Sequence, residues 1–432
     1  MKFLRFSIAL GFASLISGSV QAGDGLFGAD FSELTGEVST EVTLFPEDAQ
    51  FSEQRRNSVS FSIKPEATLE WDSIELLGGA GATFSLIPFL RVDTIDDERT
   101  HFDLREAKFD FRFGETDVTI GNDIVFWGKT EVDQIVDIVN TVDGVEGTDG
   151  EDKLGQPMVA VRRLVDIGDF SGQAAAFYFP YFREQTFLGE ESRFRSAIVI
   201  DGDAARFETG GEELTPSFAG RLAGFFGDID AGFHIFHGLS RDPAFEVNET
   251  AQVPIGGGQF VDVPTSLRPV YGRITQVGFD GQYTRDATLF KLEAIGRFDQ
   301  RNLSFEEEDY FSVIGGVEHT LFGVFDTNYD LGLIAEYAYD GRGSDALTPF
   351  ENDAVIGGRL ALNDAQDTAA LLFAAVDTDT GETIVRLEAE RRLGESFKLT
   401  LEGLAFINSD DDSLLSGSAD DSSLRLILSG FW

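Results

Sequence analysis

The sequence predicts an all-β fold, a transmembrane antiparallel β-barrel of about 18 strands with short periplasmic turns and long extracellular loops. Three observations favour this fold class. Segments in which apolar and polar residues alternate recur along the chain, as in strands with one apolar face. Tight turns alternate with longer connections between these segments. The final segment, Ser422–Trp432, is itself a strand of this kind and ends on an aromatic residue.

Residues Met1–Ala22 have the pattern of a secretory signal peptide. Lys2 and Arg5 supply positive charge, Phe6–Ile16 supplies a short apolar core, and small or aliphatic residues precede a cleavage point at Gly23. We therefore expect residues 1–22 to be removed and residues 23–432 to form one barrel domain. The sequence contains no cysteine, which excludes disulfides, thiol chemistry and a lipoprotein anchor.

The composition is strongly acidic. The chain of 432 residues has a formal net charge of −43, and removal of Lys2 and Arg5 with the signal makes it about −45. This charge argues against nucleic acid as a partner. No apolar run after the signal is long enough for a spanning helix. The 41 phenylalanines suit a lipid-facing surface, and the 47 glycines suit turns and crowded barrel walls.

Asn57–Trp71 illustrates the strand pattern, with Phe61 and Ile63 on one face and Lys64 and Glu66 on the other. The same alternation continues to the end of the chain. We predict 18 strands, at Leu34–Leu44, Asn57–Trp71, Ile74–Leu90, His101–Phe113, Asp117–Trp127, Pro157–Asp169, Ser171–Pro180, Ser217–Phe226, Asp230–Leu239, Val270–Thr284, Ala287–Gln300, Tyr310–Phe322, Thr327–Asp340, Asp353–Leu362, Thr368–Val376, Thr383–Leu393, Phe397–Asn408 and Ser422–Trp432.

The polar faces of these strands indicate a wet interior. A soluble sandwich would not need polar residues on its inner face, whereas the lumen of a wide barrel contains water. We therefore expect charged side chains of both signs to line a pore. The predicted pore-lining residues are Lys64, Glu66, Lys108, Asp110, Arg112, Lys291, Glu293, Arg297, Arg386, Glu388 and Arg392.

The last strand also carries a resemblance. Ser422–Trp432 resembles the closing strand of bacterial outer-membrane β-barrels, whose terminal aromatic residue is read by the insertion machinery. The alternative is an ordinary amphipathic strand at the end of a soluble sandwich. The resemblance implies a location in the cell outer membrane, with outer-membrane lipid, lipopolysaccharide and the barrel-assembly machinery as partners.

Three of the predicted outer loops are long: Gly128–Gln156, Phe182–Pro216 and Ser240–Pro269. Only Gly128–Gln156 has many aliphatic residues close together, and a segment of that kind is not expected to be left in water. We expect it to fold inward and narrow the pore; the alternative is packing on neighbouring loops outside the pore. The acidic residues expected to face the water path are Glu131, Asp133, Asp137 and Asp143.

Three segments resemble the signature of a poorly characterised family of proteobacterial outer-membrane barrels. They are Leu104–Ala107, Gly121–Lys129 and Asp137–Asp143, against a family pattern of roughly L-R-E-A, then G-R-Q-x-x-x-W-G, then D-x-x-N-P-x-D. This chain departs from the pattern at Asn122-Asp123, in place of Arg-Gln, and at Thr141, in place of Pro. The resemblance implies a porin-like or transport role without identifying a substrate.

Trp127 and Gly128 stand where the fifth predicted strand ends. Trp127 fits either an aromatic girdle at the membrane interface or a packing anchor for the loop that follows, and Gly128 permits a sharp bend. The sequence favours these structural roles over direct contact with a substrate.

The sequence contains no catalytic or cofactor motif that we recognise. None of the four histidines lies beside a serine in a nucleophile motif, and no histidine–carboxylate group has metal-ligand spacing. Asp377–Glu382 is similar to a calcium loop, but its glycine comes one place early and a solvated turn is favoured. We therefore predict no enzyme activity, no cofactor and no metal.

Two functions remain open from the sequence alone. The first is a porin-like channel for passive uptake of small solutes, with an inward-folding constriction loop. The second is a non-conducting barrel that binds an apolar ligand or serves as a structural or adhesion platform. By analogy with porins of this size, a homotrimer is one candidate oligomeric state.

Overall fold

The computed structural model describes residues 26–147, 150–409 and 414–432. Eighteen strands form one sheet in which every neighbouring pair is antiparallel, and the first strand pairs with both the second and the last. The sheet is therefore closed, and the predicted antiparallel barrel of about 18 strands is confirmed. The predicted signal peptide lies outside the described residues.

The described chain contains 22 strands in all. Eighteen belong to the barrel, and β8, β9, β12 and β13 form a second small sheet within the loops. Their bounds are β1 (Phe31–Leu44), β2 (Asn57–Ile74), β3 (Ala80–Asp93), β4 (Phe102–Phe113), β5 (Thr116–Asp123), β6 (Gln156–Ile167), β7 (Phe170–Phe179), β8 (Val199–Ile200), β9 (Arg206–Phe207), β10 (Ser217–Phe226), β11 (Ile229–Leu239), β12 (Ala244–Gly256), β13 (Gln259–Tyr271), β14 (Arg273–Arg285), β15 (Thr288–Arg301), β16 (Glu307–Val324), β17 (Tyr329–Asp340), β18 (Asn352–Ala361), β19 (Ala369–Asp377), β20 (Thr383–Leu393), β21 (Phe397–Ile407) and β22 (Ser423–Phe431).

Short 3-10 turns are the helical elements in the described residues, the longest being Leu414–Ser418. None of the described helical segments has the length and hydropathy needed to cross a membrane.

Each predicted barrel strand is present, but two ends differ clearly from the prediction. The strand predicted to continue to Trp127 stops at Asp123, because the N–H of Val125 bonds to the Asn140 side chain rather than to a neighbouring strand. The strand predicted to begin at Ile74 begins at Ala80. Glu75–Leu77 form a 3-10 turn, and Gly78 and Gly79 have positive φ, so the connection is longer than the predicted tight turn.

The two faces of the wall differ as the alternation predicts. On β11, Phe233 and Ile235 are exposed on the outside, whereas His234 and Phe236 are buried on the inside. On β22, Leu424, Leu426 and Leu428 are likewise exposed. An outer surface of large apolar side chains is the surface that a barrel presents to lipid.

A buried apolar cluster lies inside the barrel. Val136, Ile138 and Val139 of the Gly128–Gln156 connection pack there against side chains of the wall. The wall contributes Met158, Ala160, Phe177, Phe179, Ala219, Phe236, Ile274, Ile295 and Tyr310. The aliphatic segment of this connection is therefore removed from water by the inner wall.

The Ser240–Pro269 segment, predicted as a loop, contains a long two-stranded ribbon. It is formed by β12 and β13, and β13 pairs in parallel with the short strands β8 and β9 of the preceding long loop. The prediction missed it because its alternation was assigned to connecting sequence between barrel strands.

Candidate functional site

Two carboxylates of the inner wall hold the first half of the Gly128–Gln156 connection by its backbone. Glu293 on β15 accepts N–H groups from Lys129, Thr130 and Val136. Glu336 on β17 accepts the N–H groups of Glu131 at 3.0 Å and of Val132 at 3.1 Å. Each carboxylate thus replaces the strand partners that these amides lack.

Ion pairs reinforce this attachment on both sides. The Lys129 ammonium contacts Asp230 on β11 at 2.5 Å. The Glu131 carboxylate contacts Arg359 on β18 at 2.7 Å and Lys291 on β15 at 3.7 Å. The segment therefore bridges inward-facing groups of the wall from β11 to β18.

Trp127 is a packing residue inside the barrel. Only 5% of its surface is exposed, and its ring lies against Phe177 and His234, with the Arg221 guanidinium 4.8 Å from the ring centroid. This position excludes the girdle alternative, because girdle residues face lipid at the membrane interface. Gly128 follows with φ of 153°, a conformation that side chains disfavour.

The second half of the connection is held by buried ion pairs. Arg105 on β4 contacts Asp143 at 2.8 Å, and Arg91 on β3 contacts Glu146 at 2.6 Å. The Lys153 ammonium lies 3.4 Å from Asp137. The Asp143 and Asp137 side chains are almost fully buried, so the expectation that they face the water path is wrong. Burial and pairing turn them toward their cationic partners instead.

The three signature segments meet at this attachment. Arg105 of Leu104–Ala107 pairs with Asp143 of Asp137–Asp143. Within the latter segment, the Asn140 amide donates to the carbonyls of Asp123 and Leu154 and accepts the Val125 N–H. In this chain the signature residues thus fasten the inward connection to the wall.

His101 precedes β4 and adds a titratable group to the same region. Its Nδ1 lies 3.1 Å from the Arg99 carbonyl, and its Nε2 lies 3.7 Å from Asp143 and 3.6 Å from Glu146. Burial lowers the pKa of His101, but the bond to Asp143 and the charges of Asp143 and Glu146 outweigh it, so the net pKa is raised.

Two groups of possible metal ligands converge that the sequence spacing did not reveal. They are His101 with Asp143 and Glu146, and Glu351 with Asp353 and Asp377. In the first group, Arg105 and Arg91 already neutralise the two carboxylates. In the second, Asp377 accepts backbone N–H groups from Asp379 and Thr380.

The predicted pore-lining residues are in several different environments. Lys64 lies near Glu66 and Glu37, and Lys108 pairs with Glu106 and Asp123. Arg297 is buried against Asp242, and Asp110 accepts a bond from Thr119. Arg112 and Arg392 are largely exposed near the short-turn ends of their strands, close to Asp117 and Asp367. Arg386 and Glu388 line a polar cavity of about 350 Å³.

Two polar cavities lie between the connection and the part of the wall formed mainly by β20–β22, β1 and β2. The larger, of about 350 Å³, is lined by Glu131, Arg386 and Glu388 among others. The smaller, of about 220 Å³, is lined by Lys64, Glu41 and Arg91 among others. Both reach Asp152, Glu402 and Arg425. Glu402 and Arg425 were missed as site residues although both lie on the polar faces of predicted strands.

Asp133 was also expected beside the water path. Its backbone carbonyl accepts the Thr130 hydroxyl, and its carboxylate accepts the N–H of Gln134. Among the four acidic residues predicted for the constriction, Glu131 lines the larger cavity.

No protein-family model and no characterised protein sequence matches this chain. Solved structures with a similar fold include OccK5 (OpdH) of Pseudomonas aeruginosa, with 10% identity, a TM-score of 0.49, and coverage of 93% of this chain and 97% of that one. OmpF of Salmonella typhi in complex with daunomycin has 8% identity, a TM-score of 0.49 and coverage of 96% and 100%. Wzi of Escherichia coli, described as a carbohydrate-binding β-barrel involved in group 1 capsule assembly, has 12% identity, a TM-score of 0.48 and coverage of 93% and 84%. At these identities the similarity concerns the fold alone.

Proposed function

We propose that this protein is an outer-membrane, porin-like channel for passive uptake of small solutes, narrowed by the Gly128–Gln156 connection. One observation carries the proposal. The first half of the connection is bound to wall strands between β11 and β18 and its second half to β3 and β4, while polar cavities lie between it and the remaining wall. A channel needs such a hydrated, charged path, whereas a binding site for an apolar ligand would need an apolar one.

The charges beside the cavities support a preference for cations. Glu131, Asp152, Glu388 and Glu402 line the larger cavity with Glu151, against Arg386 and Arg425. Local fields of this kind set selectivity, and salt screens them. Cation preference should therefore be strongest at low ionic strength.

The outer-membrane location has separate support. The outer face of the barrel carries large exposed apolar side chains, including those of β22, the strand that closes on β1, and Met1–Ala22 has the pattern of a secretory signal. These features suit lipid and lipopolysaccharide as surroundings and the barrel-assembly machinery as a partner. The proposed role is transport without catalysis.

Planar-bilayer recording of the purified protein tests the proposal. We expect stepwise conductance, with a reversal potential in a salt gradient that indicates cation preference and declines as salt is raised. Absence of conductance steps at any voltage, for protein that still shows heat-modifiable migration on a gel, would refute the channel.

A further inference from the structure

The ribbon of β12 and β13 projects beyond the part of the chain that holds it. Every residue from Glu249 to Val263 is exposed. Its base, in contrast, is fixed: Glu246 pairs with Arg206 and Arg268, and Asn248 donates to Asp201 and Ser266. The direction of the ribbon is therefore set by the barrel, while its outer half has no described neighbours in the chain.

One face of this outer half is apolar. The strand register pairs Ala251 with Val263 and Val253 with Val261, and paired residues project from the same face. Val253 and Val261 are each 43% exposed and Val263 is 40% exposed. The opposite face carries the intervening pair of Gln252 and Asp262 and, nearer the tip, the pair of Pro254 and Phe260, of which Phe260 is 61% exposed.

The composition of the ribbon contrasts with that of the whole chain. Asp262 is the one charged residue between Thr250 and Leu267, although 25% of all residues are charged and the net charge is −43. Two copies of so acidic a chain repel each other wherever their charged surfaces meet. An uncharged, apolar face is where such copies can approach closely.

The ribbon also lacks the packing that would stabilise it alone. An isolated two-stranded ribbon is marginally stable in water, and a third layer against its apolar face supplies the missing burial. An identical face from another copy fits, because two sheets of valine side chains pack face to face at about 10 Å. Pro254 and Pro264 each lack a backbone N–H, which disfavours edge-to-edge extension.

We propose that the apolar face of the β12–β13 ribbon, defined by Ala251, Val253, Val261 and Val263, is a homotypic contact through which copies of this protein associate in the membrane. The contact rests on the proposed membrane location and is independent of conduction. Lipid and a different protein are the competing occupants.

Because the natural chain has no cysteine, single-cysteine variants can test the contact directly. We would compare Val261→Cys with Gln252→Cys, on the opposite face, in intact membranes treated with a short bismaleimide. The expected result is a cross-linked species of twice the protomer mass for Val261→Cys and at least fivefold less for Gln252→Cys. A cross-link to a protein of another mass, or no cross-link from either position, would overturn the proposal.

A second pair of variants reports on association without cross-linking. Val253→Asp combined with Val261→Asp should convert the oligomer of the wild type to monomers in mass photometry of protein in lipid nanodiscs, whereas Gln252→Asp should leave it unchanged. Heat-modifiable migration checks that both variants are folded. A monomeric wild type, or quenching of a dye on Val261→Cys by brominated lipid, would overturn the homotypic contact.

Bilayer recording distinguishes failure of the contact from failure of the channel. A wild-type monomer that conducts contradicts the contact alone. A cross-linked oligomer that does not conduct contradicts the channel alone.

Discussion

At Glu293 a single carboxylate binds three backbone N–H groups, those of Lys129, Thr130 and Val136. The residue was expected to line a pore from its place on the polar face of a strand. In the structure its side chain is fully buried under the connection that it holds. A charged residue on the inner face of a barrel can thus organise a loop rather than contact solute, and alternation alone does not distinguish the two roles.

Glu293→Gln tests this role. A neutral amide oxygen should bind these N–H groups less strongly by roughly 1–1.5 kcal/mol, the difference between hydrogen bonds to ionised and to neutral acceptors. Hydrogen exchange at Lys129, Thr130 and Val136 should accelerate about fivefold to tenfold. Glu388→Gln, an exposed carboxylate on β20 that lines the larger cavity and binds none of these amides, is the matched control and should leave them unchanged. Equal exchange in the wild type and Glu293→Gln would show that the ion pair of Lys129 with Asp230 suffices.

His101 should make the attachment depend on pH. Its pKa is raised above the ordinary value of 6.5 by Asp143 and Glu146 despite its burial. The protonated ring therefore stabilises the folded protein fully below pH 6.5, and this contribution is lost as the pH rises through the higher folded pKa. Arg91 and Arg105 pair with the same carboxylates.

The measurement for His101 is thermal unfolding at about pH 5.5 and about pH 8.5. We expect the wild type to lose more stability between the two values than His101→Gln does. His237→Gln is the control, because His237 projects from the outer face and bonds to the Thr275 hydroxyl. If His101→Gln and the wild type respond equally to pH, the ring does not contribute a charge to this network.

At the scale of elements, the Gly128–Gln156 connection is the part that the channel proposal depends on. Deletion of Glu131–Val142 removes the amides bound to Glu336, the Val136 amide bound to Glu293 and the aliphatic residues packed inside the wall. We expect single-channel conductance to rise and cation preference to fall, because Glu131 leaves the cavity and the path widens. The measurement is bilayer recording in a salt gradient.

The barrel of the deletion variant should remain folded, since closed strand pairing and lipid-facing burial stabilise it. Heat-modifiable migration checks this. A matched control is deletion of Gln252–Val261 from the outer ribbon, which should leave conductance unchanged because no described contact joins that segment to the lumen. A folded Glu131–Val142 deletion with wild-type conductance and selectivity would place the solute path away from the connection.

The alternation predicted the strands well because successive wall residues face lipid and lumen in turn. This constraint acts between neighbours in the sequence. The candidate site was harder to predict from the sequence. Asp143 and Arg105 lie 38 positions apart in the sequence, and their pairing depends on the connection turning inward. From the sequence alone, an acidic residue in such a segment is expected to face solvent, because its buried cationic partner is not known. The ribbon of β12 and β13 was missed for a different reason. Its alternating pattern is local, but the pattern does not show whether a strand lies in the barrel wall or outside it.

At the scale of the whole molecule, the barrel depends on the closure of β22 on β1. Trp432 exchanges backbone hydrogen bonds with Gly36, donating at 3.2 Å and accepting at 3.3 Å. Its indole lies over Gly36 so closely that a side chain added at this glycine would overlap the ring. An aromatic ring over a strand glycine shields backbone that would otherwise be exposed and fixes the register of the pair.

Gly36→Ala should therefore weaken closure. The methyl group displaces the Trp432 ring, and loss of its contact should cost about 1 kcal/mol. We expect the temperature at which the folded band disappears on a gel to fall, and insertion of the nascent barrel to slow, since the last strand is the one that closes it. Gly315→Ala on β16 is the matched control, because the nearest atoms to its added methyl lie at an ordinary contact distance of 3.7 Å. Equal heat resistance of the two variants would show that the Trp432 ring contributes no stability through Gly36.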